Sequence, residues 1–232
     1  MLSTELSSES RFSARCVKHI YPRNTLAQLF IGVEESLQRG ELQRLITHGF
    51  ARSYHATLQH FMPVLLGVGG SKPFAALGAR SAASPLFVES YTPVPIEDML
   101  AQVNLNVARN QVAEIGNLYS RNGSFTQPLL LLTALSLQQL HYSVIVFAAT
   151  SSLRDLMTAI SLPLTYLCDA SKHCVPDNGK EWGTYYETKP QVVALRTREV
   201  SRLVAGSEPV ANMFDCMAPL LPEITNVFEA HL

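Results

Sequence analysis

Charge is scarce in this chain. Of its 232 residues only 16% are Asp, Glu, Lys or Arg, and the net charge is −1. No broad basic surface is available to neutralise a phosphate backbone, so nucleic acid is not an expected partner. Cysteine is scarce too. Cys16, Cys168, Cys174 and Cys216 form no C-x-x-C pair and fit no common zinc or disulfide spacing, which leaves reduced thiols as the plain reading and no metal site. Cys168, Asp169, His173 and Cys174 cluster on one loop, but too tightly for a zinc pattern. Long hydrophobic runs are missing: none exceeds about 12 residues, short of the ~20 that span a bilayer, and no stretch reads as a cationic amphipathic helix. Stable membrane insertion is therefore not expected. The opening residues, MLSTELSSESRFSARC, contain no apolar h-region. The expectation is no secretory signal, a cytoplasmic protein and a flexible terminus over residues 1–13.

What is present is a core-forming composition, 47% hydrophobic, enough for one domain or two small ones. Leu26, Leu29, Phe30, Val33 and Leu37 keep helical spacing, with Asn24 or Thr25 as cap and Gly40 as stop. A second amphipathic helix is expected over 41–60, with Leu42, Leu45, Ile46 and Phe50 on one stripe. After Pro63 the period changes: 64–68 and 74–79 flank a Gly-Gly-Ser-Lys-Pro turn as a β-hairpin. A short strand is expected at 86–91, with Phe87, Glu89 and Tyr91 on one face, and a helix over 96–107. No repeat and no linker is evident. Hairpin strands followed by a βαβ pattern predict one α+β domain over 14–232, with a C-terminal extension from about 199 that carries one or two short helices.

The organising stretch is 111–161. An apolar segment ends in a polar turn with Gly123. A Leu-rich helix follows over 127–140, with Thr126 as cap and Pro128 in its first turn. Residues 144–149, Val-Ile-Val-Phe-Ala-Ala, suit a strand covered on both faces. Ser152 and Asp155 are placed as a capping box for a further helix. A helix N-terminus beside a glycine turn presents unpaired N–H groups to an anion.

Leu77-Gly78-Ala79-Arg80, Pro85 to Tyr91, Pro95-Ile96-Glu97, Glu114-Ile115-Gly116-Asn117-Leu118, Phe147-Ala148-Ala149-Thr150 and Trp182-Gly183-Thr184-Tyr185-Tyr186 resemble, in order and spacing, the thermostable hemolysin family of bacteria over residues 45–198. The resemblance implies a GCN5-related N-acetyltransferase-like fold: an antiparallel meander, then a βαβ unit, with helices on both faces of a mixed sheet. It is similar to the acyl-homoserine-lactone synthases. In such enzymes a thioester donor lies between the two central strands, its phosphate tail at the following helix. Here Tyr119 to Phe125 depart from the usual [QR]-x-x-G-x-[GA] loop by having one glycine.

What the resemblance implies is an acyltransferase with no permanently bound cofactor. Its donor would be acyl-CoA or acyl-phosphopantetheine on an acyl carrier protein, and its acceptor a small amine or hydroxyl. The role suggested is in a signal or secondary-metabolite pathway. Backbone or side-chain contacts to the donor are expected from Asn117, Leu118, Ser120, Arg121, Asn122, Gly123, Ser124 and Thr126. Glu114 is either a general base or a carboxylate buried against Arg80 or Arg109. Glu89, among aromatics, is either at a strand edge or a second base with raised pKa. Tyr185 is a candidate acid to the leaving thiolate. Arg80, Trp182 and Tyr186 are candidates to line a substrate pocket, or, for the aromatics, to pack an irregular loop. Thr150 either meets ligand or caps the next helix. Two other functions compete: a membrane-active hemolysin, and a module that binds a carrier protein without catalysis.

Overall fold

A computed structural model of the chain describes residues 28–121, 123–215 and 217–232. Its centre is a seven-stranded mixed sheet. The strands are β1 (Gln28–Gly32), β2 (Val64–Gly69), β3 (Pro73–Ser81), β4 (Val112–Ser120), β5 (Val144–Ala149), β6 (Thr165–Asp169) and β7 (Gln191–Arg196), in the spatial order β1-β2-β3-β4-β5-β7-β6. The first four form an antiparallel meander; β4 and β5 are parallel; β7 inserts antiparallel between β5 and the edge strand β6. Helix α3 (Thr126–Gln139) makes the β4–β5 crossover. This is the α+β fold that the meander and βαβ pattern predict.

One face of the sheet carries α3, α4 (Ser151–Ala159), α5 (Thr197–Gly206), α6 (Glu208–Asp215) and α7 (Leu221–His231). Their apolar residues join Val64, Leu66, Leu77 and Ile115 in one core. Helix α3 is apolar all round because it is buried both by the sheet and by α5–α7, the expected state of a helix without a polar stripe. The C-terminal extension thus holds three α-helices instead of one or two. The other face carries α1 (Leu37–Tyr54), α2 (Ile96–Gln102) and a run of 3-10 turns between residues 172 and 188.

Four expected elements differ: the helix expected over 41–60 runs instead from Leu37 to Tyr54, and three others change type or length. The stripe over 26–37 is not a helix: Gln28–Gly32 is a strand, and α1 starts only at Leu37, capped by Ser36, with Gly40 inside its first turn. Leu29 and Ile31 turn to one face and Phe30 to the other, so these three pack against the two cores in period two, while Leu37 is left exposed. Residues 87–91 form a 3-10 turn, not a strand. The helix expected over 96–107 stops at Gln102. Residues 1–27, including the cap candidates Asn24 and Thr25, and Cys16 and Cys216, lie outside the described residues.

Candidate functional site

The site is built where β4 leaves β5. The two strands pair only over Val112–Glu114 against Val144–Val146. Beyond Glu114, β4 follows β3 instead and the parallel ladder ends. The cause is a bulge. Gly78 pairs with Gly116, but Ala76 pairs with Tyr119, so two residues of β4 oppose one of β3. Asn117 takes up the extra length with φ 50°, a conformation that Asn tolerates better than most residues. A bulge bends its strand, and here the bend opens a wedge between the C-terminal halves of β4 and β5. It also shifts the side-chain alternation, so that Gly116 and Tyr119 share a face.

Each residue of Glu-Ile-Gly-Asn-Leu has a part in this wedge. Glu114 is 1% exposed; its carboxylate accepts from the Phe87 amide at 2.9 Å and the Val88 amide at 2.8 Å. Arg80 Nε lies 3.7 Å away, and that guanidinium also donates to the Pro85 carbonyl at 2.9 Å. Burial pushes the Glu114 carboxyl up to about 7, against the opposing pull of the two amides and of Arg80. Ile115 joins the core under α3. Gly116 leaves room for Met62, whose Cε would lie 2.7 Å from a Cβ added there. Asn117 accepts from the Met62 amide at 3.0 Å and donates to the His60 carbonyl at 3.3 Å, clamping the loop after α1 over the bulge. Leu118 packs on the core.

Glu114 is therefore the buried carboxylate beside Arg80, not an open base. Both its oxygens are occupied, and no acceptor amine can reach it from solvent. Asn117 likewise spends its amide on the protein, not on a donor. Glu89 is corrected more sharply. It sits in the 3-10 turn, accepts from Arg109 Nη1 at 2.6 Å and Nη2 at 2.8 Å, and from the Leu86 and Ile96 amides at 3.0 and 3.1 Å. The Arg109 hydrogen bonds above all hold its carboxyl down at about 2, the reverse of the raised value a base requires.

On the α1 side the wedge is lined by rings. Phe87 and Trp182 have centroids 5.4 Å apart, as do Trp182 and Tyr185, and Tyr185 and Tyr186; Phe50 and Tyr54 complete the cluster. Tyr91 and Tyr186 share a hydrogen bond between hydroxyls at 2.8 Å. Tyr185 donates to the Ala148 carbonyl of β5 at 3.3 Å. Burial pushes the Tyr185 hydroxyl well above its ordinary value of 10.0, far above a thiol at ~8.5, so it cannot usefully acidify a leaving thiolate; a hydrogen-bond donor is what it offers. The loop carrying these rings docks on α1 through Gly183, whose φ 55°, ψ −124° and lack of Cβ let the chain meet Tyr54: an added Cβ would lie 2.0 Å from its carbonyl oxygen. The Thr184 amide then donates to that carbonyl at 2.7 Å.

At the far rim, α3 begins at Thr126 with Phe125 at the cap position, so Thr126 is the first helical residue and not the cap, and no side chain of Phe125 can serve its first-turn amides. Space above Gly123 is open. The Arg121 amide is spent on the Phe74 carbonyl at 2.8 Å. Ser120 closes β4; Asn122 and the Ser124 side chain lie outside the described residues. On the α3 side, Ile115, Leu130, Leu131, Ala134, Phe147 and Met157 enclose a narrow apolar crevice with Gln127 at its edge. Thr150 is the cap of α4, accepting from the Leu153 amide at 3.3 Å; it replaces the expected Ser152–Asp155 box and takes the capping alternative of the two expected for it. The structure thus brings Glu114, Arg80, Trp182, Tyr185 and Tyr186 to one wall of the wedge and the 123–126 turn to its rim, and it removes Glu89 and Thr150. Met62, Phe87 and Tyr91 were missed as site residues. Only the Phe87/Tyr91 aromatic spacing hinted at them.

A model of the family described as Thermostable hemolysin matches residues 33–201. No curated protein matches. Among solved structures the chain is similar to the acyl-homoserine-lactone (AHL) synthase LasI, with TM-score 0.56, 10% identity, and coverage of 79% of this chain and 97% of that one. It is also similar to TofI in an apo form, with TM-score 0.50, 11% identity and coverage of 76% and 95%. A third is BjaI, a CoA-dependent acyl-homoserine lactone synthase solved with SAM and isopentyl-CoA, with TM-score 0.50, 11% identity and coverage of 78% and 89%. At such identities the likeness is one of fold.

Proposed function

Because the chain belongs to the thermostable hemolysin family and shares the fold of acyl-homoserine-lactone synthases, we propose that it is an acyltransferase moving an acyl group from a thioester donor to a small amine or hydroxyl. The observation that carries this reading is the wedge: a parallel ladder that ends after Glu114, beside the 3-10 turn Gly123–Phe125 that leads into α3. An amide-bearing pantetheine arm fits such a gap as a surrogate strand, pairing with the β5-facing edge of β4. The acyl chain would lie on the α3 side, where the closed apolar crevice at Leu131 and Ala134 would have to widen to admit it, and the phosphate tail would meet the turn at 123–126 that leads into α3. Acyl-CoA and acyl-phosphopantetheine present the same arm and are both candidate donors; BjaI is known with isopentyl-CoA.

In this reading catalysis comes from proximity and from a β4 N–H polarising the thioester carbonyl. The acceptor attacks that carbonyl from the aromatic wall, its N–H or O–H proton passes to water as the C–S bond breaks, and the departing thiolate takes up a proton from water. Glu114 acts as a positioning residue: by holding Phe87 and Val88 it sets the ring wall that Trp182 and Tyr186 extend.

The test is thiol release from a panel of acyl-CoA and acyl-carrier thioesters with and without amines, with acylated products read by mass spectrometry. Turnover of at least one donor is expected, together with donor-dependent thermal protection. Ala134→Val, which narrows the crevice by two methyl groups, is expected to lose longer acyl donors severalfold while CoA itself still protects. Absence of both release and protection across the panel would refute the reading. Liposome leakage, run in parallel, tests the lytic alternative. No helix among the described residues is long and apolar enough to cross a membrane.

A further inference from the structure

A second concave site lies at the opposite end of the sheet, where β4 and β5 begin. It is a groove of about 490 Å³, within the ~300–1,000 Å³ of small-molecule sites. Its walls are the loop after α2, with Asn104 and Asn106, the turn between α3 and β5, with His141, and the junction of β7 and α5, with Arg196 and Arg198. None of its lining residues is Asp or Glu. Arg198 is partly neutralised by Glu199 at 3.2 Å, whereas Arg196 and His141 make no ion pair among the described residues. A planar guanidinium fork suits phosphate or carboxylate oxygens, and Arg196 lines the groove without a carboxylate partner among the described residues. Asn104, Asn106 and Gln111 add neutral donors and acceptors around the charge.

We infer that this groove binds a small polyanionic metabolite, with two or more negative charges borne by phosphate or carboxylate groups. It is separate from the wedge. Val144 of β5 lines it while Ala149 ends the same strand at the wedge, roughly 16 Å along at the rise of a strand, and it shares no lining residue with the apolar crevice.

The test is calorimetric titration of the purified full chain with tripolyphosphate in one arm and citrate in the other, at low ionic strength. Saturable one-to-one binding is expected in at least one arm. Tripolyphosphate alone would assign a phosphorylated ligand, citrate alone a polycarboxylate, and both together the shared charge. Arg196→Gln is expected to weaken binding by about tenfold, the size of one lost charge-assisted hydrogen bond. His141 is exposed and sits at φ 67°, so His141→Asn keeps the turn, and it is expected to weaken binding severalfold. It carries the test if the arginine variant does not fold by circular dichroism. Binding that survives both substitutions belongs to the α3 rim and overturns the inference, as does the absence of saturation in both arms up to the millimolar range.

Discussion

Glu114 and Glu89 reach the same 3-10 turn from opposite sides and titrate in opposite directions. Glu114, raised by burial from 4.5 to about 7, is protonated in the fold at pH values where the unfolded chain has already ionised. Between about pH 4.5 and 7 the native state therefore binds more protons, and stability falls as pH rises through that window, by up to ~3 kcal/mol in total. Glu114→Gln is expected to flatten this slope in thermal melts from pH 5 to 8; a wild-type slope that persists in the variant would count against the assignment. Glu89 behaves conversely. Its carboxyl, lowered from 4.5 to about 2 by Arg109, contributes stability that is complete above about pH 4.5 and is lost as pH falls toward 2. Glu89→Gln is expected to cost about 1–3 kcal/mol at neutral pH, and to leave the pH profile of kcat where it was, since Arg109 and the Leu86 and Ile96 amides hold both its oxygens.

The motif elements are held by contacts that only a folded chain can make. Asn117 serves the bulge in two ways, by tolerating φ 50° and by clamping the 60–62 loop. Asn117→Gly keeps the first property and loses the second; Asn117→Val loses both. Chemical denaturation should find the valine variant less stable than the glycine variant by about 1–2 kcal/mol. Both should show weakened donor protection, because the wedge depends on the bend. Gly183→Ala would force a Cβ to within 2.0 Å of the Tyr54 carbonyl and is expected to cost about 2–4 kcal/mol in the same measurement. Two of the misread elements were decided by pairing that the local pattern does not show. Apolar residues at 29–31 satisfy helical and strand periods alike over so short a run, and pairing of Gln28–Gly32 with β2 decides between them. Residues 87–91 have strand composition, but the carboxylates of Glu114 and Glu89 capture the Phe87, Val88 and Leu86 amides, which a ladder would otherwise have used.

Across the whole molecule, the same sheet serves two ends of different character: an apolar wedge where β4 and β5 diverge and a cationic groove where they start. The core that holds them extends through the C-terminal helices beyond the family match, with Met213, Ile224 and Phe228 packed on the α3 side. Phe228 is 1% exposed, and Phe228→Ala is expected to lower stability by about 3–5 kcal/mol, read as a drop in denaturation midpoint. A loss below 1 kcal/mol would mean that the extension contributes little to the core.

By itself the sequence determined the hairpin, the β4–α3–β5 crossover and the α+β class, because turn chemistry, caps and hydrophobic period act within a few residues of chain. It also singled out Glu-Ile-Gly-Asn-Leu and Trp-Gly-Thr-Tyr-Tyr. What those residues do was decided only in three dimensions. The bulge at Asn117 exists through its register against β3, the raised pKa of Glu114 through burial that outweighs the pull of Arg80, and the lowered pKa of Glu89 through Arg109. Each depends on groups far apart in the chain, whose meeting no local pattern encodes.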